Sequence, residues 1–238
     1  MADSASPLQD RISIVTGGAG ALGGAVTDRL LADGAQVCVP LEVASHGDSL
    51  RQRVAPARRD RLFVDVVEVT DLEAMTRFTD SVVKRHGRVD ILVTLVGGFA
   101  GGALMETDRA TWDGMLAMNL TSAFVATRAV APHMVTAGRG RVVTIGSRAV
   151  IPPGPGFIAY TTAKAGVIAF TLALSRELAP HGITVNSILP STMDTPANRA
   201  AMPGSDRKDW VPVESVADAI AFLVRDESAH VTGALVTV

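Results

Sequence analysis

The sequence predicts an α/β fold, in which a doubly wound parallel sheet of about seven strands carries helices on both faces as a three-layer α/β/α sandwich. Apolar strand segments alternate with helical segments along nearly the whole chain, a pattern typical of βαβ units with right-handed crossovers. Hydrophobic residues make up 47% of the composition and aromatic residues only 4%. The core is therefore expected to consist of small aliphatic side chains, as in sheets that are buried on both faces.

The length of 238 residues fits one domain, and we expect residues 8–238 to form it after a disordered start at 1–7. A formal net charge of −2 disfavours binding to nucleic acid or to an anionic membrane. The N-terminus lacks signal-peptide features, and no run reaches the ~18 apolar residues of a membrane span. The single cysteine, Cys38, lies in an apolar strand and is expected to be buried, which fits a reducing cytoplasm.

The individual elements follow from hydrophobic runs and from capping and turn residues. Asp71 is expected to cap a helix that ends at Gly87. No regular structure is assigned to 46–60 or 190–212, although 196–212 are expected to form a substrate lid. The predicted strands are 11–16, 34–41, 62–64, 89–96, 141–145, 183–189 and 234–238, and the predicted helices are 25–33, 71–87, 108–137 with a break near Asn119, 157–179 and 214–225.

Ser147, Tyr160 and Lys164 supply a hydroxyl, a phenol and an amine within a short stretch. Tyr160 is the only tyrosine, and Lys164 lies four positions later on a predicted helix, so the two side chains share a face. A nearby ammonium would lower the pKa of the phenol and let it exchange a proton with an alcohol or carbonyl. The alternative is an exposed helical pair without a function.

A glycine-rich segment follows the first predicted strand and opens a helix. Glycines at this position let a pyrophosphate approach backbone N–H groups at the positive end of the helix. The pattern therefore predicts a dinucleotide site rather than an unoccupied glycine-rich loop. The candidate cofactor-binding residues are Gly17, Gly18, Gly20, Leu22 and Gly23.

The 13-residue spacing from Ser147 to Tyr160, together with Tyr160-x-x-x-Lys164, resembles the centre of the short-chain dehydrogenase/reductases. This resemblance covers nearly the whole chain and implies a Rossmann-like fold. It also implies that Ser147 binds the substrate oxygen, Tyr160 transfers the proton, and Lys164 lowers the phenol pKa and holds the nicotinamide ribose. Asn119 matches the family asparagine that helps to hold a water beside the lysine. The sequence departs from the family pattern at Ala21, at Thr94–Val96 and at Ser191.

The resemblance implies further cofactor contacts. The position after the second strand that selects the ribose falls on Leu41, with Glu42 next to it. An acidic group there repels a 2′-phosphate, so NAD(H) is favoured over NADP(H). Glu68 with Val69 would contact adenine, and Asp65 is the rival. The remaining candidates lie near the nicotinamide: Val96, Gly97, Tyr160, Lys164, Pro190, Thr192, Met193 and Thr195.

A serine at position 147 favours a carbonyl or secondary-alcohol substrate, with Phe99, Met202 and Trp210 as candidate contacts. Segments 92–102 and 189–203 resemble dihydropteridine reductases, which implies C=N reduction as one alternative. Another alternative is a catalytically silent NAD(P)-binding sensor or scaffold. No metal site is expected, and the family resemblance implies a homotetramer, with a dimer as the other possibility.

Overall fold

Seven strands form one parallel sheet in this computed structural model, which describes residues 6–238. The strands are β1 (Ile12–Thr16), β2 (Gln36–Leu41), β3 (Leu62–Val66), β4 (Ile91–Thr94), β5 (Gly140–Ile145), β6 (Ile183–Leu189) and β7 (Leu235–Thr237). Their spatial order is β3-β2-β1-β4-β5-β6-β7, and each neighbouring pair is parallel. The strand order reverses between β1 and β4, which confirms the predicted doubly wound sheet.

Helices cover both faces of the sheet. They are α1 (Ala21–Ala32), α2 (Ala44–Arg53), α3 (Leu72–His86), α4 (Arg109–Leu116), α5 (Ser122–Ala137), α6 (Ile158–Leu178), α7 (Pro196–Ala201) and α8 (Val213–Leu223). Side chains of α1, α2 and α8 pack into one apolar cluster, whereas those of α3, α5 and the end of α6 pack into another. The two clusters lie on opposite sides of the sheet and confirm the three-layer arrangement.

Two segments without an assigned structure contain helices. Residues 46–60 include most of α2 and a 3-10 turn at Pro56–Arg61, and 190–212 include α7. Only Gly47 and Leu50 of α2 are buried, so its sequence carries little apolar periodicity. The expected disorder at 1–7 falls largely on residues 1–5, which lie outside the described residues, whereas Pro7 begins a turn that leads to buried Leu8.

Asp71 caps α3 as predicted, since its side chain accepts hydrogen bonds from the N–H groups of Glu73 and Ala74. Cys38 is also buried as predicted, and burial raises the pKa of its thiol to about 12. The predicted interruption near Asn119 is a π-helical turn, Ala117–Thr121, between α4 and α5. Such turns commonly mark functional positions.

One helical segment of the described chain, Ile158–His181, is long and apolar enough to cross a membrane by length and composition, with a mean hydropathy of 1.3. The segment is not an unbroken apolar run, because it contains Lys164, Arg176 and Glu177. The segment consists mainly of α6, which packs along β6 and against α4. Val167 and Ile168 on one side of the segment are buried within the fold, whereas Leu172 is exposed.

Asp90 joins three strands at the amino-terminal edge of the sheet. Its carboxylate is only 4% exposed, accepts a hydrogen bond of 2.9 Å from the Ile12 N–H, and pairs with Arg88 and Arg139. Burial alone would raise the pKa of Asp90, but the hydrogen bonds from Arg139 and Ile12 and the arginine charges hold it below its ordinary value. The carboxylate thus stabilises the start of β1 against β4 and β5.

We predict that Asp90→Asn lowers the free energy of unfolding by about 3 kcal/mol at neutral pH, because it removes the buried counter-charge of the arginines. The folded pKa lies below the unfolded value of about 3.9, so this stabilisation is present above that pH and is lost as the pH falls through the folded pKa. Urea unfolding from neutral to acidic pH measures the difference between wild type and variant.

Asp226→Asn is the matched control, since Asp226 also pairs with Arg11 but its side chain is 71% exposed. The control should cost less than about 1 kcal/mol. Equal losses in the two variants would contradict the role assigned to Asp90.

Candidate active site

The carboxyl ends of four neighbouring strands meet at one edge of the sheet. The pairing register places Thr16 beside Thr94, Thr94 beside Thr144, and Thr144 beside Ser187. In open α/β sheets, ligands bind outside this edge, where the strand order reverses. The loops that follow β1, β4, β5 and β6 are therefore brought together there.

The glycine-rich loop after β1 is tightly packed. Gly17 has a φ of +70°, and a Cβ at this position would lie 2.8 Å from the backbone nitrogen of Val96. A Cβ on Gly23 would overlap the carbonyl oxygen of Gly17, so α1 packs directly against the loop. Both positions therefore require glycine, one for its backbone conformation and one for the close approach.

The geometry of this loop fits a dinucleotide pyrophosphate. The N-cap residue of α1 is Gly20, and within residues 6–238 no side chain caps the first turn, so its N–H groups are available to a phosphate. Ala21, which replaces a family glycine, is exposed at the first position of the helix. The Leu22 side chain packs into the core, so Leu22 can offer only its backbone.

Two charged residues lie near the outer side of the nucleotide loop. Leu41 is buried in the core, while Glu42, directly after β2, is exposed. The Arg53 guanidinium donates hydrogen bonds to the carbonyls of Ala19 and Gly20. Sequence reasoning missed Arg53 because it did not predict α2, which brings residue 53 back to the loop.

The candidate adenine contacts follow β3 or lie at its end. Asp65 accepts a hydrogen bond of 2.8 Å from the N–H of Val66. Glu68 accepts hydrogen bonds from the hydroxyl and N–H of Thr70, and these bonds hold its pKa below the ordinary value. Val69 is half-buried beside it. Both carboxylates are exposed, so the choice between them stays a prediction.

Ser147, Tyr160 and Lys164 come together as the sequence suggested. Ser147 lies two residues beyond β5 and is buried, and its hydroxyl lies close enough to the phenol of Tyr160, in the first turn of α6, to lower the pKa of that phenol by hydrogen bonding. Lys164, one turn later, is only 6% exposed, and its Nζ donates a 2.9 Å hydrogen bond to the carbonyl of Ile145. The last residue of β5 thus anchors the ammonium group.

Burial dominates the protonation of this group. It raises the pKa of Tyr160 above its ordinary value, and the hydrogen bond from Ser147 offsets this only in part. It also lowers the pKa of Lys164 to about 8. The expectation of a lowered phenol pKa is therefore wrong for the protein alone, because loss of solvation outweighs the lowering effect of the Ser147 side chain.

Asn119 connects the π-helical turn to the loop after β4. Its Nδ2 donates to the carbonyls of Met115 and Gly98 at 3.1 and 3.2 Å, and its Oδ1 accepts from the Gly98 N–H at 3.3 Å. A Cβ on Gly97 would lie 2.8 Å from Asn119 Oδ1 and 3.3 Å from Lys164 Nζ. Asn119, Gly97 and Lys164 are therefore direct neighbours.

The departure from the family at Thr94–Val96 leaves a polar group without a partner. The Thr94 hydroxyl is buried and makes no hydrogen bond to the described part of the chain. The loop is held instead by Asn119 at Gly98 and by the approach of the Val96 backbone to Gly17. The altered residues thus preserve the course of the loop.

Backbone hydrogen bonds tie the two ends of the predicted lid segment together. Val211 donates to the Thr192 carbonyl and accepts from the Asp194 N–H, both at 2.8 Å. The Thr195 hydroxyl caps α7 through the Asn198 N–H, and Asn198 Nδ2 binds the Met193 carbonyl. The Thr195 hydroxyl and the Met193 carbonyl are therefore engaged within the predicted lid segment. The Met193 N–H and the Thr192 hydroxyl remain as candidate groups for cofactor binding.

Of the substrate candidates, Phe99 contacts Tyr160. Its ring centroid is 5.0 Å from that of Tyr160 and 5.9 Å from that of Phe157, a residue that the sequence reasoning missed. Met202 is exposed in the lid, and Trp210 is half-buried beneath the Arg207 guanidinium. Pro190 is buried, and its carbonyl accepts from the N–H of Arg148.

Comparison with known proteins supports this geometry. A sequence profile described as short chain dehydrogenase matches residues 11–205. The 3-oxoacyl-(acyl-carrier-protein) reductase FabG of Thermotoga maritima is 31% identical over 240 residues, covering 96% of each chain. The acetoacetyl-CoA reductase of Allochromatium vinosum is 32% identical over 235 residues, covering 94% of this chain and 95% of that protein.

A solved structure of NAD⁺-bound xylitol dehydrogenase superposes with a TM-score of 0.88 at 26% identity, covering 97% of this chain and 98% of the other. The similarity therefore extends over the sheet and the loops at its carboxyl edge. The chain belongs to the short-chain dehydrogenase family of NAD(P)-dependent oxidoreductases, which act on CH–OH and C=O groups.

Proposed function

We propose that Ser147, Tyr160, Lys164 and Asn119 form the catalytic centre for interconversion of a small carbonyl compound and its secondary alcohol. The observation that carries this proposal is the grouping of the buried Ser147 hydroxyl, the Tyr160 phenol and the buried Lys164 amine, which the Ile145 carbonyl holds one helical turn from Tyr160. A hydroxyl and a phenol that lie this close together can both bind one substrate oxygen.

The raised pKa of Tyr160 keeps the phenol protonated at neutral pH. Tyr160 can therefore donate its proton to the oxygen of a carbonyl, while Ser147 orients that oxygen. Lys164 supplies positive charge as the phenolate forms, and Asn119 holds the adjacent loop in place. A nicotinamide cofactor, when bound, supplies or accepts the hydride. These roles favour reduction at neutral pH.

The cofactor is expected to bind along the carboxyl edge, from the adenine candidates near Glu68 to the nicotinamide candidates near Lys164. We assign NAD(H) as the preferred form, because exposed Glu42 follows β2 and would repel a 2′-phosphate. The positive charge of Arg53 would instead favour a 2′-phosphate, but its guanidinium already donates hydrogen bonds to the loop carbonyls.

Two other functions are tested by the same assays. Reduction of a C=N bond, as in dihydropteridine reductases, would not depend on Ser147. A silent NAD(P)-binding protein would bind the cofactor without oxidising it. The proximity of the Ser147 hydroxyl to the Tyr160 phenol favours the carbonyl reaction over both.

We further propose that residues 8–238 form one domain and that the enzyme is cytoplasmic. It would act on a small-molecule substrate and would have no nucleic-acid or membrane partner. A homotetramer, or else a dimer, is supported by exposed apolar side chains on α5 and α6, where Phe124 and Phe170 lie 6.4 Å apart near exposed Leu172. Sedimentation analysis measures this assembly directly.

We predict that Tyr160→Phe lowers kcat for ketone reduction by at least about 100-fold, because the variant has no proton to donate. NADH affinity should change less than about twofold, since the phenyl ring retains its packing. Stopped-flow assays and fluorescence titration measure the two quantities. Thr162→Ala, an exposed change in the same helical turn, is the control, and full activity of Tyr160→Phe would refute the mechanism.

The pKa of Lys164, lowered by burial to about 8, predicts a pH dependence. Below this pH the side chain is an ammonium that can stabilise the Tyr160 phenolate, and above it the charge is lost. We expect kcat/KM for reduction to be level near neutrality and to fall about tenfold per unit well above pH 8. A profile without a break up to pH 10 would argue against this role of Lys164.

We predict that Glu42→Ala improves NADPH binding relative to NADH by about tenfold, because it removes a negative charge from the expected 2′-phosphate position. Fluorescence titration with the two cofactors gives the ratio of dissociation constants. Asp48→Asn removes a carboxylate farther along α2 and should leave the ratio unchanged. If both variants change the ratio of dissociation constants equally, Glu42 does not determine the preference for NAD(H).

A further inference from the structure

An aromatic wall, formed by Phe99 and Phe157, borders the hydroxyl centre. The Phe99 ring meets the Tyr160 ring edge to face at an interplanar angle of 69°, and it meets the Phe157 ring at 54°. Phe99 comes from the loop after β4, whereas Phe157 precedes α6. Two separate loops therefore place phenyl rings beside the proposed proton donor.

Backbone hydrogen bonds fix the position of this wall. The Gly102 N–H donates to the Gly156 carbonyl at 2.7 Å, and the Ile158 N–H donates to the Gly102 carbonyl at 3.2 Å. Together these bonds join the two loops on either side of Phe157. The rings are thus presented by a paired backbone, which reduces the entropy lost when a ligand packs on them.

The wall is exposed despite its apolar character. Phe99 is 64% exposed, and further exposed apolar side chains lie on the three loops that follow β4, β5 and β6. They are Leu104, Met105, Ile151 and Met202. Exposed apolar side chains on the loops around a candidate catalytic group, one of them in contact with it, are typical of a binding surface for an apolar ligand.

Several charged side chains on these loops are already paired. Glu106 accepts a hydrogen bond from the Ala103 N–H at 3.1 Å. Asp194 and Arg199 form a two-fold ion pair at 2.6 and 2.8 Å. Arg148, exposed directly after Ser147, and Arg207 over Trp210 are cations that an anionic substrate could use, and Arg148, next to Ser147, provides a test of that alternative.

We propose that the substrate is a hydrophobic ketone, or the corresponding secondary alcohol, with an aromatic or alicyclic ring next to the reacting carbon, and that the aromatic wall selects this ring. The inference rests on the proposed function and deepens it, because it concerns recognition at the same site. A ring loses less conformational entropy than an open chain when it packs against a fixed surface, and an aromatic ring gains further stabilisation from offset and edge-to-face packing.

The test compares acetophenone and cyclohexyl methyl ketone with octan-2-one, three methyl ketones with the same number of carbons. We expect kcat/KM of the wild type to be about tenfold higher for the ring ketones, and Phe99→Ala to remove most of this preference. The ratio between substrates is the readout, because a general disturbance of Tyr160 would lower all rates together. Phe222→Ala, an exposed phenylalanine on α8, is the matched control.

Phe157→Ala provides a second variant, and NADH titration verifies that each variant retains the nucleotide site. A wild-type preference for octan-2-one, or an equal loss for all three ketones in Phe99→Ala, would overturn the proposal. A preference for acetoacetyl-CoA that is lost in Arg148→Ala would also overturn it and would point to an anionic substrate. If the wild type binds NADH but reduces no carbonyl compound, the proposed function fails, and the selection of a ring fails with it.

Discussion

The parallel register of β1, β4, β5 and β6 is the constraint on which the site depends. It brings four carboxyl ends to one edge, so loops that are far apart in the sequence become neighbours. The Ile145 carbonyl at the end of β5 then receives the Lys164 ammonium from α6. If the sheet slipped by one residue, side chains would exchange faces and this alignment would be lost.

Burial accounts for much of the chemistry expected of the centre. Removing Tyr160 and Lys164 from water disfavours their charged forms, which raises one pKa and lowers the other. Compared with a solvent-exposed tyrosine and lysine at the same spacing, Tyr160 therefore keeps its proton to a higher pH and Lys164 loses its proton at a lower pH. A change in solvation on ligand binding would alter both groups, which links recognition at the aromatic wall to proton transfer.

Asn119 shows how the fold compensates for an altered sequence motif. The loop after β4 lacks the asparagines that the family usually carries, and the Thr94 hydroxyl has no partner within residues 6–238. The π-helical turn directs the Asn119 amide to both backbone groups of Gly98, which holds the loop beside Lys164. The position of the loop therefore depends on a side chain from another element.

The sequence by itself determined the alternation of strands and helices, the glycine-rich loop and the spacing of Ser147, Tyr160 and Lys164, because these features depend on local periodicity and local turns. The tertiary structure decided how Arg53 reaches the loop carbonyls, how Phe157 meets Phe99, and in which direction the Tyr160 pKa shifts. These features arise from the packing of distant segments and from exclusion of water, which local residue patterns do not specify.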